Sequence, residues 1–307
     1  MTLVAILAVG SVALDAVETR AGSVDGVIGG SAVFFSAAAS LLTEVRVVGV
    51  VGHDYPVAQL GFLRQRGVDF EGLVQVPGES FFWGGRYSDD FRTRVTTETR
   101  LGVFADFNPA VLPAYCDSRV VFLGNIDPDL QMKVLDQVRA PRLVAADTMN
   151  FWIERTPGPL RRVLARLDVL LVNDEEAVQL AGDDDLAGAV GRIQGLGPAV
   201  VVVKRAEAGS VVFGQNWAFE CPAWPVANVI DPTGAGDAFA GGFLGYLDHA
   251  GSFDREALCQ AAAYGSATGS YAVEAFSVDR FRALETSAVV RRARSLQELG
   301  GSSWTNL

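Results

Sequence analysis

The chain reads as an α/β protein with a mainly parallel sheet covered by helices on both faces. Two patterns predict this: short β-branched runs alternate with longer segments of helical period, and the runs are apolar throughout rather than at every second residue. A third observation, a glycine-rich turn late in the chain at Gly234–Gly236, places an anion-binding loop ahead of an apolar helix. The 307 residues are half hydrophobic, which is enough for a sizeable core.

Taken in order, strands are expected at Leu3–Val9, Val45–Val51, Val120–Leu123, Leu143–Ala146, Val169–Val172 and Val200–Val203. Their continuous Val and Leu content fits strands buried on both faces. Helices are expected at Ser31–Leu42, Val57–Arg66, Asp129–Val138, Leu160–Leu167 and Leu186–Leu196, and the chain is mostly helical from Asp237 to about Leu299. Two polar, Gly- and Thr-containing stretches, 15–28 and 70–99, interrupt the rhythm; parts of them alternate as exposed strands do, as in Arg92–Glu98. With no repeat, low-complexity tract or linker, residues 1–307 are expected to form one domain with these two stretches appended.

A net charge of −11 without a basic stripe argues against nucleic-acid binding. Cys116, Cys221 and Cys259 are odd in number and widely spaced, which fits thiols of a reducing, cytosolic compartment better than disulfides or zinc ligands. His53 and His249 have no second ligand at metal-binding spacing. The apolar start lacks a basic leader and is read as a buried strand, and no run reaches the roughly 20 apolar residues of a membrane span.

The chemistry concentrates in Asp231-Pro-Thr233-Gly234-Ala235-Gly236-Asp237. The glycines let amides converge on an anion at the positive end of the following helix, Ala238 to Leu247. Asp237, in its first turn, is placed either to cap the helix or to take a proton from a hydroxyl attacking a phosphate held there. No Gly-x-Gly-x-x-Gly follows the first strand and no Walker-type loop occurs, so neither a dinucleotide fold nor a P-loop grip is indicated.

This string resembles the C-terminal signature of the ribokinase-like (PfkB) family of sugar and nucleoside kinases. The resemblance implies a ribokinase-like fold in which stretches 15–28 and 70–99 form a small β-sheet lid over the acceptor, often also used for homodimer contacts. It implies that Asp237 is the catalytic base and that Gly234, Ala235 and Gly236 form the anion hole. Asp231 and Thr233 fall where relatives contact phosphate or, in some members, a monovalent cation. Asp15 and the pair Gly29-Gly30 fall at substrate-binding positions. Asn173 and Glu176 match an Asn-x-x-Glu motif that organises Mg²⁺ through water near ATP, and Lys204 and Gly209 lie at the nucleotide loop, where Ala206 replaces a common glycine.

Phe34 replaces an asparagine that bonds the substrate in most relatives; it either packs in the core or stacks on a flat or apolar ligand face, as Phe81, Phe82 and Trp83 of the lid can. Asp147–Trp152 resembles, at altered spacing, a segment near the acceptor. The leading expectation is an ATP- and Mg²⁺-dependent kinase acting on a sugar or polyol hydroxyl. A nucleoside acceptor is the first alternative, and a non-catalytic metabolite-binding regulator the second.

Overall fold

The computed structural model describes residues 5–182, 185–300 and 304–306; the first two residues of the expected Leu3–Val9 strand lie outside them. Fourteen strands follow in chain order: β1 (Ala5–Val9), β2 (Ala13–Thr19), β3 (Gly22–Gly29), β4 (Glu44–Val51), β5 (Val68–Gln75), β6 (Phe81–Tyr87), β7 (Arg94–Arg100), β8 (Val120–Leu123), β9 (Leu143–Asp147), β10 (Val169–Asn173), β11 (Val200–Lys204), β12 (Ser210–Gly214), β13 (Trp217–Cys221) and β14 (Trp304–Asn306). Ten of them make one sheet in the order β14-β13-β12-β11-β10-β9-β8-β1-β4-β5, and four make a second in the order β3-β2-β6-β7.

The large sheet is parallel from β5 to β11 and antiparallel from β11 to β14. Its central strands are buried on both faces, as their unbroken apolar runs predict. Ile6, Ala8 and Leu171 face one core with helices Ser31–Ala39, Ala235–Ala250 and Arg255–Ala272, whereas Leu7, Val9, Leu170 and Val172 face the other with helices Pro157–Leu164 and Leu186–Gln194. The chain is the ribokinase-like fold: a large, mostly parallel sheet between helices, with a small separate sheet.

Two features differ from the expectation. The stretch 70–99 divides, because β5 pairs in parallel with β4 through Val45↔Val68 and Val50↔Val74 and so closes an edge of the large sheet. Only β6 and β7 join β2 and β3 in the small sheet. The apolar Val68 and Phe70 bury against the large sheet, whereas β7 is exposed along its whole length and lacks any apolar face that would drive it there. The antiparallel strands β12 and β13 were not anticipated. Their pairing depends on a turn at Asn216, which takes a φ of 117° that few non-glycine residues adopt.

Candidate active site

The strands β9, β10 and β11 end side by side on Asp147, Asn173 and Lys204, with Leu171 opposite Asp147 and Asn173 opposite Lys204 in register. Parallel pairing puts these three polar ends at one edge of the sheet, where open α/β sheets form their clefts. The Ala235–Ala250 helix starts at the same edge. Gly234, its N-cap, has a φ of 73°, which a side chain would resist, and a Cβ there would fall 2.2 Å from the Phe34 ring. Phe34 is 2 % exposed, so of its two expected roles the structure realises packing: its ring is the floor beneath the glycine turn rather than an open face for a ligand.

Three further bonds shape the turn. Asp231 Oδ1 accepts from the Thr233 amide (2.8 Å), the Ala235 amide donates back to the Pro232 carbonyl (3.2 Å), and the Ala238 amide donates to the Gly234 carbonyl (2.8 Å). Among the described residues no backbone acceptor faces the Gly236 and Asp237 amides, as expected in the first turn of a helix. The Gly234 amide has no acceptor among them either, whereas the Ala235 amide is taken by Pro232 and that of Asp237 faces its own carboxylate, so Gly234 and Gly236 of the expected Gly234–Gly236 set keep donors available to an anion. Gly236 has a second role: a Cβ on it would lie 3.0 Å from Lys204 Nζ, so its bareness keeps the lysine head against the turn.

Lys204 Nζ bonds Asp147 Oδ2 at 2.8 Å, and both side chains are largely buried. Burial opposes the lysine charge, but Asp147, Glu176 and Asp237 outweigh it and hold the group above its ordinary value. Glu176 and Asn173 form a reciprocal helix cap, in which Asn173 Oδ1 accepts from the Glu176 amide (2.7 Å) and Glu176 Oε2 accepts from the Asn173 amide (2.8 Å). The motif thus caps its helix, yet it leaves Glu176 Oε1 unused by the cap beside Asp147 and Lys204. Burial first, and Asp147 second, raise the Glu176 carboxyl. The same two causes raise Asp237 to about 7, against which Lys204 and its own amide work. A carboxylate poised near neutrality on a helix N-terminus suits proton abstraction.

On the other side of the cleft Asp15, on β2, is 5 % exposed, and its carboxylate occupies the space a Gly29 side chain would fill, with Oδ2 only 1.9 Å from that Cβ position. Gly30 caps the Ser31–Ala39 helix at a φ of 93°, where a Cβ would strike the Ser11 carbonyl. Burial, then Asp231 and Asp237, push Asp15 up to about 8 despite a bond from Gly30. Asp231 and Asp237 are thus both near enough to repel Asp15, which joins the first and last thirds of the chain in one site. Gly209 turns the chain between β11 and β12 at a φ of 88°, where a Cβ would collide with the Cys221 carbonyl; the turn alone requires glycine there.

Some residues of the site carried no signal in the sequence. Thr233 Oγ1 donates to the hydroxyl of Tyr87, at the end of β6, over 3.1 Å. The hydroxyl of the buried Tyr55, which feels the Asp15 charge, has no partner among the described residues. Neither tyrosine lies in a motif, and only folding brings them to the cleft.

The described residues contain no group of three or more His, Cys, Asp or Glu able to hold a metal ion. Mg²⁺ keeps several waters and takes few direct protein ligands, so its binding does not depend on such a group. The buried Glu176, with one oxygen outside its cap, suits an outer-shell contact. No described helix is long and apolar enough to cross a membrane.

Comparison with known proteins agrees with the fold. The family model described as "pfkB family carbohydrate kinase" matches residues 118–282. A cytidine kinase of Thermococcus kodakarensis is 29% identical over 246 residues, covering 78% of this chain and 87% of the relative. Among solved structures, a Burkholderia thailandensis nucleoside kinase in complex with inosine superposes with a TM-score of 0.80 at 20% identity, covering 95% of this chain and 98% of that one. A putative ribokinase II from E. coli in complex with ATP and Mg²⁺ superposes with a TM-score of 0.78 at 18% identity, covering 95% and 100%.

Proposed function

This chain belongs to the pfkB carbohydrate kinase family and is a phosphotransferase with an alcohol group as acceptor; from that premise we propose that it is an ATP-dependent nucleoside kinase. The observation that carries the acceptor class is the similarity to a cytidine kinase over 78% of the chain. It moves the nucleoside reading ahead of the sugar or polyol that the sequence alone favoured. Retention of Asp237 at the glycine turn speaks against a non-catalytic regulator.

In this reading Asp15, held over Gly29 and Gly30, accepts hydrogen bonds from ribose hydroxyls. Asp237 takes the proton of the attacking hydroxyl, and the Gly234 and Gly236 amides with Lys204 offset charge on the transferring phosphoryl group. ATP brings Mg²⁺, whose chemistry is to neutralise phosphate charge, and Glu176 would orient its waters from the Asn173 cap. Asp231 and Thr233 shape the turn, and a monovalent cation has no part in the proposal. Gly209 sets the loop beside the nucleotide. The exposed β7 leaves the outer edge of the lid free for the homodimer contact that the family resemblance implies.

The test is ADP release from MgATP across a panel of nucleosides, sugars and polyols, with Asp237→Asn alongside. Turnover with nucleosides, reduced at least about a hundredfold in the variant while MgATP still binds, is the expected result. Turnover with sugars alone would return the acceptor to the carbohydrate class. Unchanged turnover in Asp237→Asn would remove the base assignment.

A further inference from the structure

The cleft is rich in negative charge and poor in positive charge. Asp15 feels the charges of Asp231 and Asp237, Asp237 in turn feels those of Asp147 and Glu176, and Lys204, buried beside them, is already paired with Asp147 at 2.8 Å. A nucleoside triphosphate adds further negative charge even with Mg²⁺ bound. Phosphoryl transfer in such surroundings calls for another cation near the moving group.

The lid hairpin β6–β7 carries four arginines, Arg86, Arg92, Arg94 and Arg100. Arg86 pairs with Glu18 at 2.8 Å, Arg92 approaches Glu207 at 3.8 Å, and Arg100 pairs with Glu98 at 3.0 Å and Glu79 at 3.2 Å. Arg94 has no carboxylate within 4.0 Å among the described residues. It lies opposite Tyr87 in the β6–β7 register, its guanidinium 5.3 Å from the centre of the Trp83 ring. Tyr87 in turn accepts from Thr233, the residue preceding Gly234, at 3.1 Å. The end of the hairpin is therefore moored to the glycine turn, with the Arg94 guanidinium beside the mooring, hydrogen-bonded to the Tyr87 hydroxyl but to no carboxylate among the described residues. Its field reaches across the cleft: Arg94 is among the charges that lower both the Glu176 carboxyl and the Tyr87 hydroxyl, against burial that raises them.

We infer that Arg94 is a phosphate-contacting residue supplied by the lid, docked over the glycine turn by the Tyr87–Thr233 hydrogen bond and set on the terminal phosphate of the nucleotide. Its planar fork suits phosphate oxygens, and stacking on Trp83 limits its freedom before the phosphate arrives. The bond from Thr233 to Tyr87 makes Tyr87 a positioning residue. Phosphate charge and lid closure are linked by this arrangement: the cation arrives when the hairpin seats on the turn and withdraws when it lifts. The inference rests on the kinase reading but not on the identity of the acceptor.

The experiment compares the full chain with Arg94→Ala, Arg94→Lys and Arg86→Ala, measuring turnover with MgATP and a nucleoside and, separately, calorimetric binding of MgATP and MgADP. Arg94→Ala is expected to lower kcat about a hundredfold with the nucleoside KM within about threefold, the size of effect known for one transition-state donor. MgATP affinity falls about tenfold and MgADP affinity holds, because a charge-assisted contact to the terminal phosphate is lost. Added guanidinium ion restores part of the turnover of Arg94→Ala, Arg94→Lys lies between the two, and Arg86→Ala stays within about twofold of the parent, as an exposed ion pair predicts.

Equal loss of MgATP and MgADP binding, an Arg94→Ala turnover within about threefold of the parent, or no rescue by guanidinium would overturn the inference in favour of a purely structural role for the Trp83 stack. If the parent turns over no nucleoside but its preference for MgATP over MgADP still depends on Arg94, the acceptor assignment fails and the phosphate contact stands. If the parent binds no MgATP, both fail.

Discussion

The glycine turn and the lid face each other across the same cleft and are held in opposite ways. The turn is fixed by contacts that leave no slack: Phe34 fills the space under Gly234 and Lys204 Nζ crowds Gly236. The lid is a four-stranded sheet whose outer strand is exposed throughout and whose ion pairs, such as Arg86–Glu18, lie in solvent with side chains 62% and 53% exposed. The Thr233–Tyr87 bond is one of the few polar links between the two. In the proposed kinase reading the contrast would be a division of labour: groups that act on the phosphoryl group sit where packing leaves one arrangement, and groups that admit the acceptor sit on the exposed sheet.

The sharpest way to break this contrast is to remove the floor of the turn. Phe34→Ala is expected to destabilise the fold by about 3–5 kcal/mol, since a buried aromatic leaves a cavity that helices on either side cannot close. A denaturant titration measures it, and a cost below about 1 kcal/mol would mean that the turn holds itself without the ring.

The acidic cluster sharpens the comparison through pH. Asp237 must be ionised to act as a base, and with its carboxyl pushed up to about 7, kcat/KM for the acceptor in the parent protein should fall about tenfold per pH unit below that point. Stability runs the other way. Asp15 is raised from 3.8 to about 8, so its contribution is full below its unfolded value and is lost as pH rises through 8. Asp15→Asn should therefore gain on the parent in thermal or denaturant stability between pH 5 and 8.5, by on the order of 4 kcal/mol. A gap that does not widen with pH would show that the cluster is not strained.

The smallest effect is expected in the lid. Glu18→Ala removes the partner of Arg86 and should change stability by no more than about 0.5 kcal/mol. A larger loss, read in the same titration, would mean that the lid is as tightly determined as the turn.

Much of this arrangement was legible in the residues. The six expected strands fall within the large sheet, because an apolar run buried on both faces leaves the same mark whatever its neighbours. Asp231–Asp237 could be read as a glycine-rich turn leading into a helix and Asn173–Glu176 as a motif at a helix start, because both are local patterns spelled out within seven and four residues. The lid was harder. Its strands are polar, and nothing local distinguishes Val68–Gln75, which joins the large sheet, from Phe81–Tyr87, which does not. Phe34 allowed two roles until its neighbours were known, and Tyr55, Tyr87 and Arg94 lie in no motif.

By itself, then, the amino-acid order determined the secondary structure of the core, the glycine-capped helix with its aspartate, and the class of chemistry these serve, since each depends on short-range sterics and periodic burial. Tertiary structure alone decided which distant charges meet. It set Asp15 against Asp237, Lys204 against Asp147, Phe34 beneath Gly234 and the lid hairpin upon Thr233, because Coulomb and packing energies depend on distances in space that no spacing along the chain encodes.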